Sequence, residues 1–143
     1  MDYGHLSRRQ LITRNGLVMF SLGASVYPVV ELVWRGRTHW TMSVTGGLCT
    51  LLIHLCNRRM SSRGTAARCG AGCAVITLTE FAVGCVVNRL LGWNVWDYSS
   101  APLNILGQIC PLYCGFWFVL SLPVLAVSTW LEEHTSRREI VFP

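Results

Sequence analysis

Lysine is absent from this 143-residue chain, and charged residues of any kind are scarce. All twelve basic residues are arginines, and charged residues make up 13% of the sequence, against about 25% in ordinary soluble domains. More than half of the residues, 52%, are hydrophobic, and the mean hydropathy is +0.42. This composition excludes an ordinary soluble domain and favours an integral membrane protein. We attach no function to the missing lysine.

Motifs for metal binding, redox chemistry and nucleotide binding are also missing. The seven cysteines include two pairs spaced four residues apart, Cys69/Cys73 and Cys110/Cys114, which is not the CxxC spacing of zinc or thioredoxin-like sites. Cysteine at such positions acts as a small apolar packing residue. We therefore predict no metal site and no cofactor, and we name no catalytic residue.

Four stretches with few or no charges are long enough to cross a bilayer, which takes about 20 apolar residues. They predict helices at about 16–34, 40–57, 69–91 and 103–131. The fold expected is all-α: one transmembrane domain over residues 1–143, an integral membrane four-helix bundle with short loops.

The arginines predict how such a bundle is oriented. Nine lie before the first stretch, between the second and third, or after the fourth, whereas the two remaining connections carry three. By the positive-inside rule this distribution predicts a multi-pass protein of the cell membrane with both termini in the cytoplasm. Arginine facing anionic membrane lipids accounts for the net charge of +5, so we expect lipid contacts and no nucleic-acid partner.

Glu80 is the most informative residue, because it lies near the middle of the uncharged stretch 69–87. Inserting a charge at the centre of a membrane helix costs roughly 2.5–3.5 kcal/mol. Such a residue is therefore expected to be paired, to be protonated or to have a function. Thr77, Gly84 and Asn88 share its helical face. Asn104 and Gln108 form a second polar stripe on the predicted fourth helix, and we expect the two stripes to meet.

The connection between the third and fourth stretches carries Trp96, Asp97 and Tyr98. One interpretation is a re-entry turn, in which Ser99 or Ser100 caps the fourth helix and Pro102 lies in its first turn. The other is that the turn closes a cavity lined by the two polar stripes, with Trp96, Asp97 and Tyr98 contacting a ligand.

Three residues near the same outer surface have two interpretations as well. Glu31 precedes Arg35 by one helical turn, which favours an interfacial ion pair, but it can face the cavity instead. His39 is followed directly by Trp40. Both residues fit an interfacial anchor or a ligand contact.

These residues carry a family resemblance. The segments concerned are Glu80-Phe81-x-x-Gly84, Asn88, Val95-Trp96-Asp97-Tyr98-Ser99, Pro102-x-Asn104-x-x-Gly107-Gln108-Ile109-Cys110 and Trp117, with Glu31, His39-Trp40 and Gly46-Gly47 in the first half. Over about residues 16–130 the chain resembles the ABC-transporter type IV (CmpB-like) family of small bacterial membrane domains, which has vertebrate four-span relatives with the same Trp-Asp-Tyr-Ser core. The resemblance implies a permease-like part of a transporter. Because the chain has no Gly-Lys-Ser/Thr loop, an ATPase would have to be another subunit.

The leading functional hypothesis is a transport or solute-binding component whose buried polar site opens to the outer side and takes a small or cationic solute. The expected ligand-binding residues are Glu80, Asp97, Asn88, Asn104, Gln108, Trp96, Tyr98, Glu31, His39 and Trp40. Two alternatives stay open: an intramembrane enzyme acting on a lipid-linked substrate, and a structural or assembly subunit. A homodimer fits each of them.

Overall fold

The computed structural model describes the backbone of residues 8–141 and the side chains of residues 13–135. This part of the chain forms four α-helices: α1 (Arg8–Arg35), α2 (Trp40–Arg59), α3 (Thr65–Gly84) and α4 (Pro111–Val141). A π-helical segment, Cys85–Leu90, continues α3. The all-α prediction is confirmed. The expected position of the two termini concerns residues outside the described range.

Three helices are long and apolar enough to cross a membrane: the segments Thr13–Arg35, Thr65–Leu90 and Pro111–Thr135. The second helix is more polar, with three threonines, a histidine and an asparagine among its 20 residues. The chain is thus a membrane protein with three candidate spans, and a fourth span through α2 stays a prediction.

The position of α2 in the bundle accounts for its polarity. It packs against each of the other three helices, whereas the backbones of α1 and α4 come close to each other at few points. Its large apolar side chains with substantial exposure are only Trp40, Val44 and Leu48, while its threonines and histidine point inward. A helix enclosed by its neighbours needs less apolar surface than one facing lipid, because its polar groups can bond inside the bundle.

Glycines set the close spacing of α1 and α2. An added Cβ on Gly46 would lie 2.7 Å from the carbonyl oxygen of Gly23 and 2.8 Å from Cγ of Tyr27. Contacts of this kind are typical of helix pairs in membranes, where small residues let two backbones approach. The approach fixes Tyr27 against α2.

The interior divides into two apolar clusters. One joins Cys49 and Ile53 of α2 to residues of α3 and α4, namely Cys69, Ile76 and Leu125. The other joins Met42 of α2 to the π-helical segment and the following loop through Val87, Val95 and Trp96. The second cluster supports the site described below.

The predicted start of the fourth helix is wrong. Residues 91–110, here called the α3–α4 loop, are not helical, and α4 begins at Pro111. Leu103, Leu106 and Gly107 have φ values of 56°, 54° and 70°, in the left-handed region that ends a right-handed helix. Proline suits the first helical position because its missing N–H would have no partner there. Pro111 therefore starts α4 rather than kinking it.

Two further expectations change with that start. Asn104 and Gln108 lie in the loop and not on a stripe of α4, and Ser99, Ser100 and Pro102 precede the helix by many residues. Leu103, Ile105 and Leu106 in this part of the loop are exposed, by 82%, 53% and 52%, so its apolar content does not come from burial inside the bundle. The other boundaries differ less: α1 and α3 begin at residues 8 and 65, and α4 continues to 141, because the flanking arginines also favour a helix.

Candidate functional site

A cavity of about 500 Å³ lies between α1, α4 and the α3–α4 loop. This volume falls in the range of about 300–1,000 Å³ that is usual for small-molecule sites. Residues of the C-terminal half of α1 and the N-terminal half of α4 line the cavity, and these two halves lie at the same end of the bundle. Its lining comprises Tyr27, Val30, Glu31, Trp34, Arg35, Arg37, Trp96, Asp97, Tyr98, Tyr113, Phe116, Trp117, Val119, Leu120 and Pro123.

Aromatic rings form much of the wall. Tyr98 stacks on Tyr113 with ring centroids 4.2 Å apart, and Tyr113 lies 6.0 Å from Trp117. Trp117 in turn is 6.3 Å from Tyr27. The faces and edges of these rings present apolar surface together with a weak negative potential over each face, which can hold a cation.

Glu80 lies behind this wall rather than in it. Its side chain is 2% exposed, and the hydroxyl of Tyr27 donates a hydrogen bond to its Oε1. Trp117 approaches the same carboxyl group, but no donor among the described residues reaches Oε2 in hydrogen-bonding geometry. Tyr27 thus connects the buried carboxyl group of α3 to the cavity.

Glu31 combines both of its predicted roles. It forms the ion pair with Arg35 and accepts a hydrogen bond from Thr38 Oγ1 at 2.6 Å, and it lines the cavity as well. Arg35 uses one terminal nitrogen, Nη2, for this ion pair. Its buried Nε has no hydrogen-bond partner among the described residues. The mouth of the cavity therefore carries a fixed carboxylate and a guanidinium with unused donor capacity.

Asp97 lies at the exposed edge of the cavity. Its Oδ1 accepts hydrogen bonds from the hydroxyl and from the backbone N–H of Ser99, the latter at 2.8 Å. These bonds lower the pKa of Asp97 below its ordinary value of 3.8, so the group is a carboxylate at neutral pH. Burial raises the pKa of the Tyr98 hydroxyl well above its usual value, and this phenol stays neutral.

Asn88 and Gln108 meet, as expected, but outside the cavity. Asn88 Nδ2 donates to Gln108 Oε1 at 2.8 Å, and Asn88 Oδ1 accepts the backbone N–H of Val95 at 2.7 Å. The indole N–H of Trp96 donates to the backbone oxygen of Gln108 at 3.1 Å. These bonds attach the α3–α4 loop to the π-helical segment and place Trp96 in the cavity wall. A direct role of Asn88 or Gln108 in ligand binding stays a prediction.

Asn104 organises the loop itself. Its Nδ2 donates to the backbone oxygens of Ser99 and Ala101, at 3.1 and 2.9 Å, and its Oδ1 accepts the N–H of Gly107 at 3.0 Å. Gly107 has a positive φ, and an added Cβ there would lie 2.9 Å from Oδ1 of Asp97. Asn104 and Gly107 thus hold the segment of Asp97 in place, and ligand contact by Asn104 remains a prediction.

His39 and Trp40 form a separate aromatic group at the same end of the bundle. His39 is the N-cap of α2 and accepts the N–H of Thr41 on Nδ1 at 3.4 Å. Its ring lies 5.7 Å from Trp40 and 5.4 Å from Trp93. Neither His39 nor Trp40 lines the cavity, and their role as ligand contacts stays a prediction.

A polar network at the opposite end of the bundle was not foreseen from the sequence. Glu132 of α4 accepts a hydrogen bond from Asn15 of α1 at 3.0 Å and lies 3.2 Å from Arg58 of α2 and 3.4 Å from Nε2 of the fully buried His54. His54 also bonds Ser128 at 2.8 Å. The sequence offered one signal, a histidine and an asparagine three residues apart on one face of α2, His54 and Asn57. Their partners in α4, Ser128, Thr129 and Glu132, are more than 70 residues away, whereas Arg68, which donates to Asn57 at 2.7 Å, is 11 residues away.

Within the described residues, no group of three histidine, cysteine, aspartate or glutamate side chains is arranged to hold a metal ion. All seven cysteines are free thiols. Several of them pack in the core, and Cys73 Sγ donates to the backbone oxygen of Cys114 at 3.1 Å. The chemistry available in the cavity is therefore that of carboxyl groups, guanidinium groups, phenols and indoles.

Comparison with known proteins identifies the family. The family model described as "Putative ABC-transporter type IV" (ABC_trans_CmpB) matches residues 15–139, which confirms the resemblance seen in the residues. No curated protein and no solved structure matches the chain significantly. Since the match spans most of the sequence and the chain has helices that can cross a membrane, the protein is a transport-related membrane protein that belongs to the ABC-transporter type IV (CmpB) family.

Proposed function

We propose that the protein is a permease-like, solute-binding component of a membrane transport system and that the aromatic cavity is its binding site. One observation carries the proposal: the cavity wall is backed by the buried carboxyl group of Glu80, which is connected to it through Tyr27. Placing a carboxyl group at membrane depth costs free energy, and in membrane proteins such groups mark solute or proton pathways.

The wall chemistry favours a small cation or amine. Tyr27, Trp117 and Tyr98 offer ring faces, and Glu31 and Asp97 supply carboxylates at the mouth. A cation held over an aromatic face gains about 0.5–2 kcal/mol or more when it is desolvated. The ligand contacts proposed are therefore Glu31, Trp96, Asp97 and Tyr98 directly, and Glu80 through Tyr27.

The arginines support an outward orientation of the cavity. The loop between α2 and α3, at the end of the bundle opposite the cavity, contains or adjoins Arg58, Arg59, Arg63 and Arg68. If that end faces the cytoplasm, both termini are cytoplasmic, α2 makes a fourth crossing, and the cavity opens to the outer side of the cell membrane. Energy for transport would come from an ATPase or other subunit in trans, and a homodimer is an equally simple assembly.

Glu80→Gln tests the proposal, because glutamine keeps the size of the side chain and can still accept the Tyr27 hydrogen bond. Binding of choline and tetramethylammonium to the purified protein in a nonionic detergent is measured by calorimetry and by thermal unfolding. We expect at least tenfold weaker binding in Glu80→Gln, equivalent to about 1.4 kcal/mol, with a helical far-UV spectrum unchanged. Tyr27→Phe should weaken binding as well.

Glu133→Gln is the matched control, since Glu133 is an exposed acid of α4 at the opposite end of the bundle. Equal affinity of the parent, Glu80→Gln and Glu133→Gln for the cations would refute a binding role of Glu80. If no cation binds the parent and Glu80→Gln is the more stable protein, the buried group is structural and the assembly-subunit hypothesis is favoured.

A further inference from the structure

The cavity is amphipathic along its length. On α1 the lining runs from Arg35 and Glu31 at the helix end inward to Tyr27, and on α4 it runs from Tyr113 inward to Leu120 and Pro123. The eleven residues from Tyr113 to Pro123 span about 15 Å of helix. Charged groups therefore lie at the mouth, and the deep half has an apolar wall.

The cavity also has a side that faces outward between α1 and α4. The backbones of these helices come close at few points, and exposed rings bridge the space between them, with Trp34 and Phe116 edge to face at 5.7 Å. Trp34 is 65% exposed and Phe116 45%, and the neighbouring Val30 and Val119 are 40% and 61% exposed. Both helices belong to segments apolar enough to lie in lipid. A gap between two such helices faces the acyl chains of the bilayer rather than water.

The mouth carries charges of both signs in equal number. The carboxylates are Glu31 and Asp97, and the guanidinium groups are Arg35 and Arg37. Arg35 has a buried Nε without a hydrogen-bond partner among the described residues, and Arg37 is exposed. A cationic solute is matched by only half of these groups, because the two arginines repel it. An anionic solute is likewise opposed by the two carboxylates.

We propose that the cavity binds a membrane amphiphile with a zwitterionic headgroup, an ammonium group next to a phosphate, which enters sideways between α1 and α4. The ammonium group lies against the aromatic wall and the carboxylates, since ring faces and acids both attract it. The phosphate pairs with Arg35 and Arg37, because guanidinium matches phosphate oxygens geometrically. One acyl chain occupies the gap beside Val119 and Leu120. This inference rests on the proposed function and specifies the substrate class of the same site.

Two tryptophan substitutions on α4 separate headgroup binding from chain binding. Val119→Trp fills the apolar half of the cavity at a position 61% exposed, where the larger side chain is tolerated. Val127→Trp is the control, because Val127 lies on the same helix, is 41% exposed and does not line the cavity. Binding is measured by native mass spectrometry of the detergent-solubilised protein with three probes: free phosphocholine, a short-chain phosphatidylcholine, and the phosphatidylglycerol with the same chains.

We expect the parent and Val127→Trp to bind the phosphatidylcholine at least tenfold more tightly than free phosphocholine and at least tenfold more tightly than the phosphatidylglycerol. Val119→Trp should reduce phosphatidylcholine binding to the level of phosphocholine and leave phosphocholine binding unchanged. Equal binding of phosphocholine and phosphatidylcholine by the parent, undiminished lipid binding by Val119→Trp, or no preference over phosphatidylglycerol would each overturn the inference. The proposed function is judged separately, since binding of free choline that depends on Glu80 supports it whatever the lipid results are.

Discussion

Replacing Gly46 by alanine tests the packing that holds Tyr27 at the back of the cavity. The new methyl group would lie 2.7 Å from the backbone oxygen of Gly23 and 2.8 Å from Cγ of Tyr27, and the backbone atom cannot move without shifting α1. Overpacking of this kind typically costs about 1–3 kcal/mol. Alanine gains about 0.5–1 kcal/mol over glycine in a helix interior. We therefore expect a net loss of about 1–2 kcal/mol in the free energy of unfolding, and weaker cation binding because Tyr27 is displaced from Glu80.

Gly70→Ala is the matched control, since Gly70 lies inside α3 and an added Cβ there meets no atom within 4 Å. It makes the same gain in helix propensity without the clash, so it should be neutral or more stable than the parent by up to about 1 kcal/mol. Both variants are compared by reversible denaturant unfolding in mixed micelles, followed by circular dichroism. A Gly46→Ala protein as stable as Gly70→Ala would refute the close approach of α1 and α2.

Two further predictions concern the ends of the bundle. Glu132→Gln should lower the free energy of unfolding by about 1–2 kcal/mol, because its carboxylate pairs with Arg58 at 3.2 Å and hydrogen bonds to charged groups are worth about 1.5–3 kcal/mol. The control Glu133→Gln should change the free energy of unfolding by less than about 0.5 kcal/mol. Equal effects of the two substitutions would contradict a role for the polar network around Glu132. Asp97→Asn should destabilise the α3–α4 loop at neutral pH, where the carboxylate accepts two bonds from Ser99. Since those bonds lower the pKa of Asp97 below 3.8, their stabilisation is present above that pH and is lost as the pH falls through the lowered value. The difference in thermal stability between the parent and Asp97→Asn should therefore disappear in acid, and a constant difference would count against this account.

The helices could be predicted from the sequence where apolar runs have arginines on both sides. The runs at 40–57 and 69–91 correspond closely to α2 and to α3 with its π-helical continuation. Hydropathy measures only the apolar content of a segment, however, and the loop segment 103–110 is as apolar as a helix. What keeps it from being helical is a set of left-handed residues, two of which are leucines. A leucine at positive φ has no signature in a single sequence.

The candidate site could be predicted in part. Glu31, Trp96, Asp97 and Tyr98 were named from the sequence and line one cavity. In the aromatic wall of α4, Tyr113 was not named, and Trp117 was named as part of the family resemblance but not as a ligand-binding residue, because both look like ordinary membrane side chains until the fold brings them beside Tyr27. Helical spacing predicts which residues share a face. It does not predict which face meets which, and contacts such as that of Asn15 with Glu132, 117 residues apart, follow only from the packing of the helices.

The two polar regions bear on how a solute could cross. Glu80 and the cavity lie at one end of the bundle, and His54 with Glu132 lies at the other. Between them α2 packs into the apolar cluster that includes Cys49 and Ile53, both at most 3% exposed, so the described residues offer no continuous polar path. Passage of a polar group therefore requires helices to separate. Among the helix pairs in contact, α1 and α4 have the fewest close backbone approaches, so a movement there would mainly part the ring pairs Trp34–Phe116 and Tyr27–Trp117 and the hydrogen bond of Asn15 with Glu132.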